Sequence, residues 1–322
     1  MKSNKKLKAY LLRLLTKKKN LPFDLKKSTS VLILKYDRIG DMVVTTPIFR
    51  ELKTAYPNIR ISVLASKENK DVIRYNPFID KIYTNYKNSI LKDLPTLLKL
   101  RKKSFDVCIE LEHSVIPHAI FRLKIINPKK IISIHKDGRY GVKGSELQLY
   151  DYFTKKDKKS HFGKIWLDTL IFFGIKPSSN KYDFFLSNVE RDRANSFLFS
   201  MSNKIKIGIN IEGSFPEKSI QKKELERICR GLHSHCSNIV IVILASPNKI
   251  SKKKKMISEF GLNFVIPSYT TETIIDAAAL VEQLDLIITP DTSMVHIASS
   301  FNKPVVSIHP NNEDSYRLWK PI

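Results

Sequence analysis

The sequence predicts an α/β protein made of two halves, each a parallel sheet covered by helices on both faces. Three observations carry this. Short apolar, β-branched runs recur along the chain, longer helix-patterned stretches separate them, and the alternation loosens once, near the middle. Parallel strands buried on both faces read as continuous apolar runs, and parallel neighbours need a crossover that a helix supplies. At 322 residues, 42% hydrophobic and 10% aromatic, the chain has apolar surface for two ordinary cores.

The first thirty residues differ from the rest. Leu7, Tyr10, Leu11, Leu14 and Leu15 fall on one helical face, with Lys5, Lys6, Arg13 and Lys17 on the other side. Residues 1–29 therefore read as a basic amphipathic helix. Its apolar stretch is too short to span a bilayer and Arg13 interrupts it, so neither a transmembrane helix nor a cleaved signal peptide is favoured. Ten basic residues against Asp24 in the first thirty suit the surface of an anionic leaflet. A solvated helix resting on its own domain is the alternative.

From Val31 onward the strand candidates are VLIL at Val31, ISVLA at Ile61, KIY at Lys81, DVCIEL at Asp106 and KIISI at Lys130, with helical stretches between. They form a first domain over residues 30–176. Residues 177–204 are looser, with a short strand and a helix starting after Ser187, and are the expected joint. A second series, KIGINI at Lys206, NIVIVILA at Asn238, LNFVI at Leu262, LDLIIT at Leu284 and PVVSIH at Pro304, builds a second domain over 205–322. The two halves are expected to leave a cleft. No solenoid period and no Gly/Pro tract interrupts the pattern.

The formal net charge is +25, from 56 basic and 31 acidic residues. Such an excess invites partners that are anionic: nucleic acid, a membrane surface or a phosphorylated substrate. Lysine supplies most of it, 43 against 13 arginines. Readers of bases and phosphates favour the bidentate arginine fork, so the balance fits an anionic membrane better than sequence-specific nucleic-acid recognition. Three cysteines, Cys108, Cys229 and Cys236, form no CxxC pair, and no His cluster has metal spacing. They read as reduced thiols in a cytoplasmic protein.

Two segments carry chemistry. VLILKYDRIGDMVVTTP, from Val31 to Pro47, runs a buried strand through a polar loop into a helix, with Asp41 where the helix begins. Ligand-facing groups of an open α/β sheet sit at the carboxyl ends of its strands, so Asp41 is a candidate for chemistry. A plain helix cap is the competing role. ITPDTSMVHIASSFNKPVVSIHP, from Ile288 to Pro310, ends a strand at Thr289 and opens a helix at Thr292 and Ser293 that carries His296. A helix N-terminus can hold a diphosphate through its free N–H groups and dipole. Capping by Asp291 and Thr292, and a partly buried His296, are the bland alternatives.

Together the two segments, about 250 residues apart, resemble the signature regions of the family 9 glycosyltransferases, the ADP-heptose:lipopolysaccharide heptosyltransferases. The resemblance implies a GT-B architecture, two Rossmann-like domains facing across a cleft, with acceptor on the first half and nucleotide-sugar on the second. Asp41 matches the family's Gly-Asp pair, whose aspartate is the general base. Asp37, Arg38 and Gly40 complete that acceptor-side loop. Asp291, Thr292, Ser293 and His296 match the donor motif, with Ser293 in place of its usual Gly. In the loop NIEGSFPEKSIQKKELERI, Gly213 and Ser214 match donor-binding positions and Lys218 the lysine beside the leaving diphosphate, with Lys222 and Lys223 as alternatives. After NIVIVILA the family's acidic residue near the nucleoside is missing, and Ser246, Pro247 and Asn248 stand there.

The implied reaction is an inverting, metal-independent transfer of heptose to the lipopolysaccharide or lipooligosaccharide inner core. No cofactor is needed beyond the nucleotide-sugar substrate. The implied location is the cytoplasmic face of the inner membrane, held peripherally, with no nucleic-acid partner. Transfer of a different sugar to a cell-surface glycan, or a catalytically idle membrane-surface scaffold, are the alternatives. Residues 112–118 and 135–145 are the expected acceptor loops.

Overall fold

The β-rich runs become two parallel sheets. The computed structural model describes residues 2–18, 22–86, 90–155, 157, 159–213, 215–246 and 249–322. The chain packs as two units, Met1–Asp37, Thr45–Lys70 and Pro77–Asn180 in one, and Arg38–Val44, Asp71–Asn76 and Lys181–Ile322 in the other. The division after Asn180 falls inside the expected joint. Two short stretches of the first half, including Asp41, nevertheless pack with the second.

In the first unit β1 (Ser30–Leu34), β2 (Arg60–Ser66), β3 (Lys81–Asn85), β4 (Val107–Glu110), β5 (Lys130–Ser133) and β6 (Tyr152–Phe153) run parallel in the order β3-β2-β1-β4-β5-β6. Helices α1 (Lys2–Leu15), α2 (Ile39–Ala55), α3 (Ile90–Lys102), α4 (Pro117–Ile126) and α5 (Phe162–Leu167) accompany them. The central strand β1 is buried along its whole length, as its uninterrupted apolar run predicts.

The second unit follows α6 (Asn188–Leu198). Its strands β7 (Ile205–Asn210), β8 (Ile239–Leu244), β9 (Val265–Pro267), β10 (Leu286–Pro290) and β11 (Val305–Ile308) run parallel in the order β11-β10-β7-β8-β9. Between and after them lie α7 (Lys222–His235), α8 (Ile250–Ser258), α9 (Ile274–Gln283), α10 (Ser293–Ser300) and α11 (Glu313–Trp319).

Several details differ from expectation. The edge strand β6 was not read from sequence, being only two half-buried residues. LNFVI yields only β9, because Leu262 to Val265 closes a turn through a 3.1 Å backbone hydrogen bond. The short strand expected in the joint does not form: Tyr182, Phe184 and Leu186 alternate inward and bury, yet residues 181–186 have no ladder partner. Helix α1 rests on its own unit through Ala9, Leu12 and Thr16, while the apolar face read from sequence points outward.

One device recurs at the amino-terminal edge of both sheets. An aspartate directly before a strand grips the second residue of the strand beside it. Asp80 accepts the Ile61 N–H at 2.7 Å and donates its own N–H to the Ile61 carbonyl at 2.9 Å. Asp151 does the same to Ile131, at 2.7 and 2.9 Å, and Asp285 to Lys206, at 2.7 and 2.8 Å. Asp106 is the variant: it accepts from the Thr29 N–H at 2.8 Å, the Ser30 N–H at 3.1 Å and the Lys129 ammonium at 2.7 Å. Burial raises the Asp106 carboxyl, but these donors outweigh it and hold its pKa down at about 2. The grips lie at the edge opposite the carboxyl ends of the strands, where α/β proteins bind ligands.

Candidate active site

In the second unit, β10 ends at Pro290 and the chain passes through Asp291 and Thr292 into α10. Thr292 is the N-cap, its hydroxyl accepting the Met294 N–H at 3.3 Å. The Asn210 amide, at the carboxyl end of β7, donates to Thr292 at 3.2 Å and to Thr289 at 3.0 Å. Strand β7 thus fixes where α10 begins. The Asp291 N–H donates to the Ile308 carbonyl at 2.9 Å, and its carboxylate lies 3.9 Å from His309 Nδ1. His296, one turn into α10, is buried between Tyr182, edge-on at 5.8 Å, and Trp319 at 6.0 Å. Neither aromatic partner was read from sequence, since each comes from a segment remote from the motif.

The first turn of α2 belongs to this same unit. A Cβ built on Gly40 would lie 2.9 Å from His296 Cδ2 and 3.4 Å from Ser293 Cα. Only glycine allows the acceptor-side loop to come this close to the donor motif. Asp41, the next residue, is partly exposed, and its Oδ2 accepts the Arg38 N–H at 3.3 Å. It therefore braces the turn, and its partial exposure leaves it open to a ligand as well. Arg38 is exposed.

The loop after β7 is also drawn tight. Gly213 donates its N–H to Ser219 Oγ at 3.0 Å, and a Cβ there would sit 2.5 Å from the Lys218 carbonyl oxygen. Ser214 lies outside the described residues. The Lys218 ammonium is 5.8 Å from the centroid of the Phe215 ring. Lys222 pairs with Glu259, and Lys223 is exposed on α7. Beside Ser246, where the family's acidic residue is missing, Glu212 arrives from the neighbouring strand end and accepts the Ser246 hydroxyl at 3.0 Å and the Lys253 ammonium.

The first unit holds a second polar assembly, at the carboxyl ends of β1, β4 and β5. Buried Lys35 lies 2.8 Å from Asp37 and 3.9 Å over the Trp166 ring. Fully buried Lys136 lies 2.5 Å from Glu110 and donates to the Glu112 carbonyl at 2.6 Å. Burial, then a hydrogen bond and charge from Asp37, push the Glu112 carboxyl up to about 9. The two neighbouring carboxyls, Glu112 and Asp37, therefore favour sharing a proton. Burial and the charges of Lys35 and Lys136 push His113 down to about 4, so it stays neutral against Phe162, 4.1 Å away. The two expected acceptor loops meet here, the Asp137 N–H donating to the His113 carbonyl at 2.8 Å. Asp37 was expected from the motif. Lys136 lies in the expected loop 135–145, while Lys35 and Glu110 were missed, although each sits on or just past a buried strand, which was the available signal.

Two parallel-sheet α/β units with motif residues at strand ends and a helix N-terminus fit the GT-B architecture. The chain belongs to glycosyltransferase family 9 (heptosyltransferase), whose profile matches residues 97–321. It is 22% identical over 298 residues to the lipopolysaccharide core heptosyltransferase OpsX of Haemophilus influenzae, covering 90% of this chain and 81% of that one. Its fold resembles that of a family 9 glycosyl transferase from Veillonella parvula, with TM-score 0.77, 18% identity and coverage of 94% and 86%. It also resembles the ADP-heptose LPS heptosyltransferase II of E. coli, with TM-score 0.71, 17% identity and coverage of 91% and 87%.

Proposed function

We propose that the protein transfers heptose from ADP-heptose to the inner core of lipopolysaccharide or lipooligosaccharide, with inversion, at the cytoplasmic face of the inner membrane. The observation that supports the reading is the apposition of Gly40, the residue before Asp41, to His296 and Ser293. The Haemophilus and E. coli relatives, named for heptosyl transfer, support the sugar and the acceptor.

In this reading the Asp41 carboxylate takes the proton of an acceptor hydroxyl as its oxygen attacks the anomeric carbon. The bond from that carbon to the diphosphate breaks, and ADP leaves with the electron pair. The proton moves as the hydroxyl attacks, so a carboxylate suffices without matching the alcohol's pKa. The N-terminal end of α10 and the Lys218 ammonium offset charge on the leaving diphosphate, in place of a metal ion. Gly213 and Ser214 are assigned to donor binding in this reading, and Asp291, Thr292 and Ser293 to the diphosphate at the start of α10. Asp37, Arg38 and the Glu112–Lys136 assembly face the acceptor sugar. A different nucleotide-sugar is the second reading, favoured by Ser293 where the family has glycine.

Asp41→Ala is expected to lower transfer from ADP-heptose by several orders of magnitude while ADP affinity, measured by calorimetry, stays within about threefold. Near-wild-type turnover would remove Asp41 from the base role. His296→Ala is expected to weaken ADP binding, and unchanged affinity would move the donor elsewhere. Comparing ADP-heptose with other nucleotide-sugars decides between the two readings.

A further inference from the structure

Three helices of the first unit lie side by side on one face of its sheet. The crossovers β3 to β4 and β4 to β5 run the same way across the strand order, and β1 to β2 runs the other way. Right-handed connections put α3 and α4 together and α2 on the opposite face. Helix α1 joins the pair: Ala9 and Leu12 enter the same core cluster as Leu97, Leu100, Leu123 and Ile126. The Lys124 ammonium on α4 donates to the Lys17 carbonyl just past α1 at 2.9 Å, and Arg101 on α3 donates to the Ile125 carbonyl on α4 at 3.3 Å.

What these helices turn outward is unusual for a soluble surface. On α1, Leu7, Tyr10, Leu11, Leu14 and Leu15 are between 44% and 62% exposed. On α3, Leu91, Leu94 and Leu98 recur at i, i+3 and i+7, exposed by 83%, 37% and 46%. Phe121 on α4 adds 43%. Apolar side chains grouped in this way mark a partner surface.

The charge around them has one sign. Helices α1 and α4 contain no Asp or Glu, and the one acid of α3, Asp93, is buried against Arg122 at 2.7 Å. The two carboxylates that reach the α1 segment are both engaged, Glu146 with Arg13 and Asp151 with Lys18. Lys6, Lys8, Lys17, Lys99, Arg101 and Lys102 stand exposed along the apolar stripes. Leucine stripes flanked only by cations match an anionic bilayer surface, where side chains enter the acyl boundary and ammonium groups stay among the headgroups. Among the described residues no helix is long and apolar enough to cross a membrane.

We infer that α1, α3 and α4 together form a docking face for an anionic lipid bilayer, which holds the enzyme peripherally by leucine insertion and lysine attraction. The inference is independent of the sugar transferred and of the base role of Asp41. It differs from a membrane role for α1 alone, because α3 adds Leu91, Leu94 and Leu98 to the surface.

The test is flotation of the full chain with phosphatidylcholine vesicles and with vesicles containing about 30% phosphatidylglycerol. Binding is expected to the anionic vesicles, weakening at least fivefold as salt rises from about 0.1 to 0.5 M. The variants Leu11→Glu/Leu14→Glu and Leu91→Glu/Leu98→Glu are each expected to lower the partition coefficient at least about tenfold with unchanged thermal melting. These positions are exposed, so folding is spared, and circular dichroism checks it. No binding to anionic vesicles overturns the proposal, as does full binding by the α3 variant. Dimerisation in solution that the same substitutions abolish would assign the face to a second copy of the chain and overturn it equally.

Discussion

Replacing Gly40 with alanine adds one methyl group at the point where the acceptor-side loop touches the donor motif. That methyl would lie 2.9 Å from His296 Cδ2, well inside ordinary van der Waals contact, and 3.4 Å from the Ser293 backbone. His296 is buried, with Tyr182 and Trp319 on its flanks, so its ring has no open space to rotate into. One side must retreat by roughly half an ångström or more. Overpacking of this kind costs about 1–3 kcal/mol. Alanine returns up to about 1 kcal/mol of helix propensity, and less in a first turn, so the net destabilisation is about 0–3 kcal/mol. Activity is expected to suffer more than stability, because displacements near an ångström at a catalytic site can cost about a hundredfold. A loss of at least about tenfold in kcat/KM, with Tm lowered by only a few degrees, is the expected outcome. Transfer can be followed as ADP release, and melting by differential scanning fluorimetry. Wild-type kcat/KM together with a raised Tm would refute the close apposition and remove its support for the proposed chemistry.

Two further outcomes follow from the first unit. Asp93→Ala leaves the Arg122 guanidinium buried against the Tyr36 ring without its carboxylate, and is expected to cost about 3–5 kcal/mol in denaturant unfolding. The double variant Asp93→Leu/Arg122→Met should recover most of that loss, and equal destabilisation by both would show that the charge pair is not the cause. Glu112 reports on pH. Its folded pKa, about 9, lies above the ordinary 4.5, so between these values the native state holds a proton that the unfolded chain has released. Stability must therefore fall as pH rises across that window, and Glu112→Gln should flatten the fall. His113 acts below it: with a folded pKa near 4 against 6.5, it withdraws stability as pH drops from about 6.5 toward 4. Parallel pH profiles for wild type and the glutamine variant would contradict the raised pKa of Glu112.

The strands legible in the sequence were those buried on both faces, such as Val31–Leu34 and Ile239–Leu244, because burial leaves an uninterrupted apolar run. Half-buried strands were read less evenly: Val305–Ile308 was legible, whereas Tyr182, Phe184 and Leu186 have the alternation of a strand but bury without forming one, and Tyr152–Phe153 pairs without any pattern. The same division holds at the site. Asp41, Asp291 and His296 are legible because their motifs are contiguous, with strand, loop and helix start in a single segment. Lys35, Glu112, His113 and Lys136 become one assembly only when β1, β4 and β5 align, and nothing local in the sequence announces that. Trp319 against His296 is likewise a product of folding alone.

The aspartate grips at Asp80, Asp151 and Asp285 bear on the fidelity of folding. Each joins both polar backbone atoms of one residue on the neighbouring strand. Parallel strands are paired across long stretches of chain, late and with little local guidance, so misaligned intermediates are their characteristic hazard. A one-residue slip would withdraw the carboxylate from its N–H and turn every side chain of the strand to the wrong face. The two penalties arise together, which makes the misaligned sheet costly from the first pair formed. Each grip thus acts as a proofreading step on strand alignment, checked at the edge of the sheet remote from the chemistry, so that the residues at the other edge are free to diverge without loosening the register.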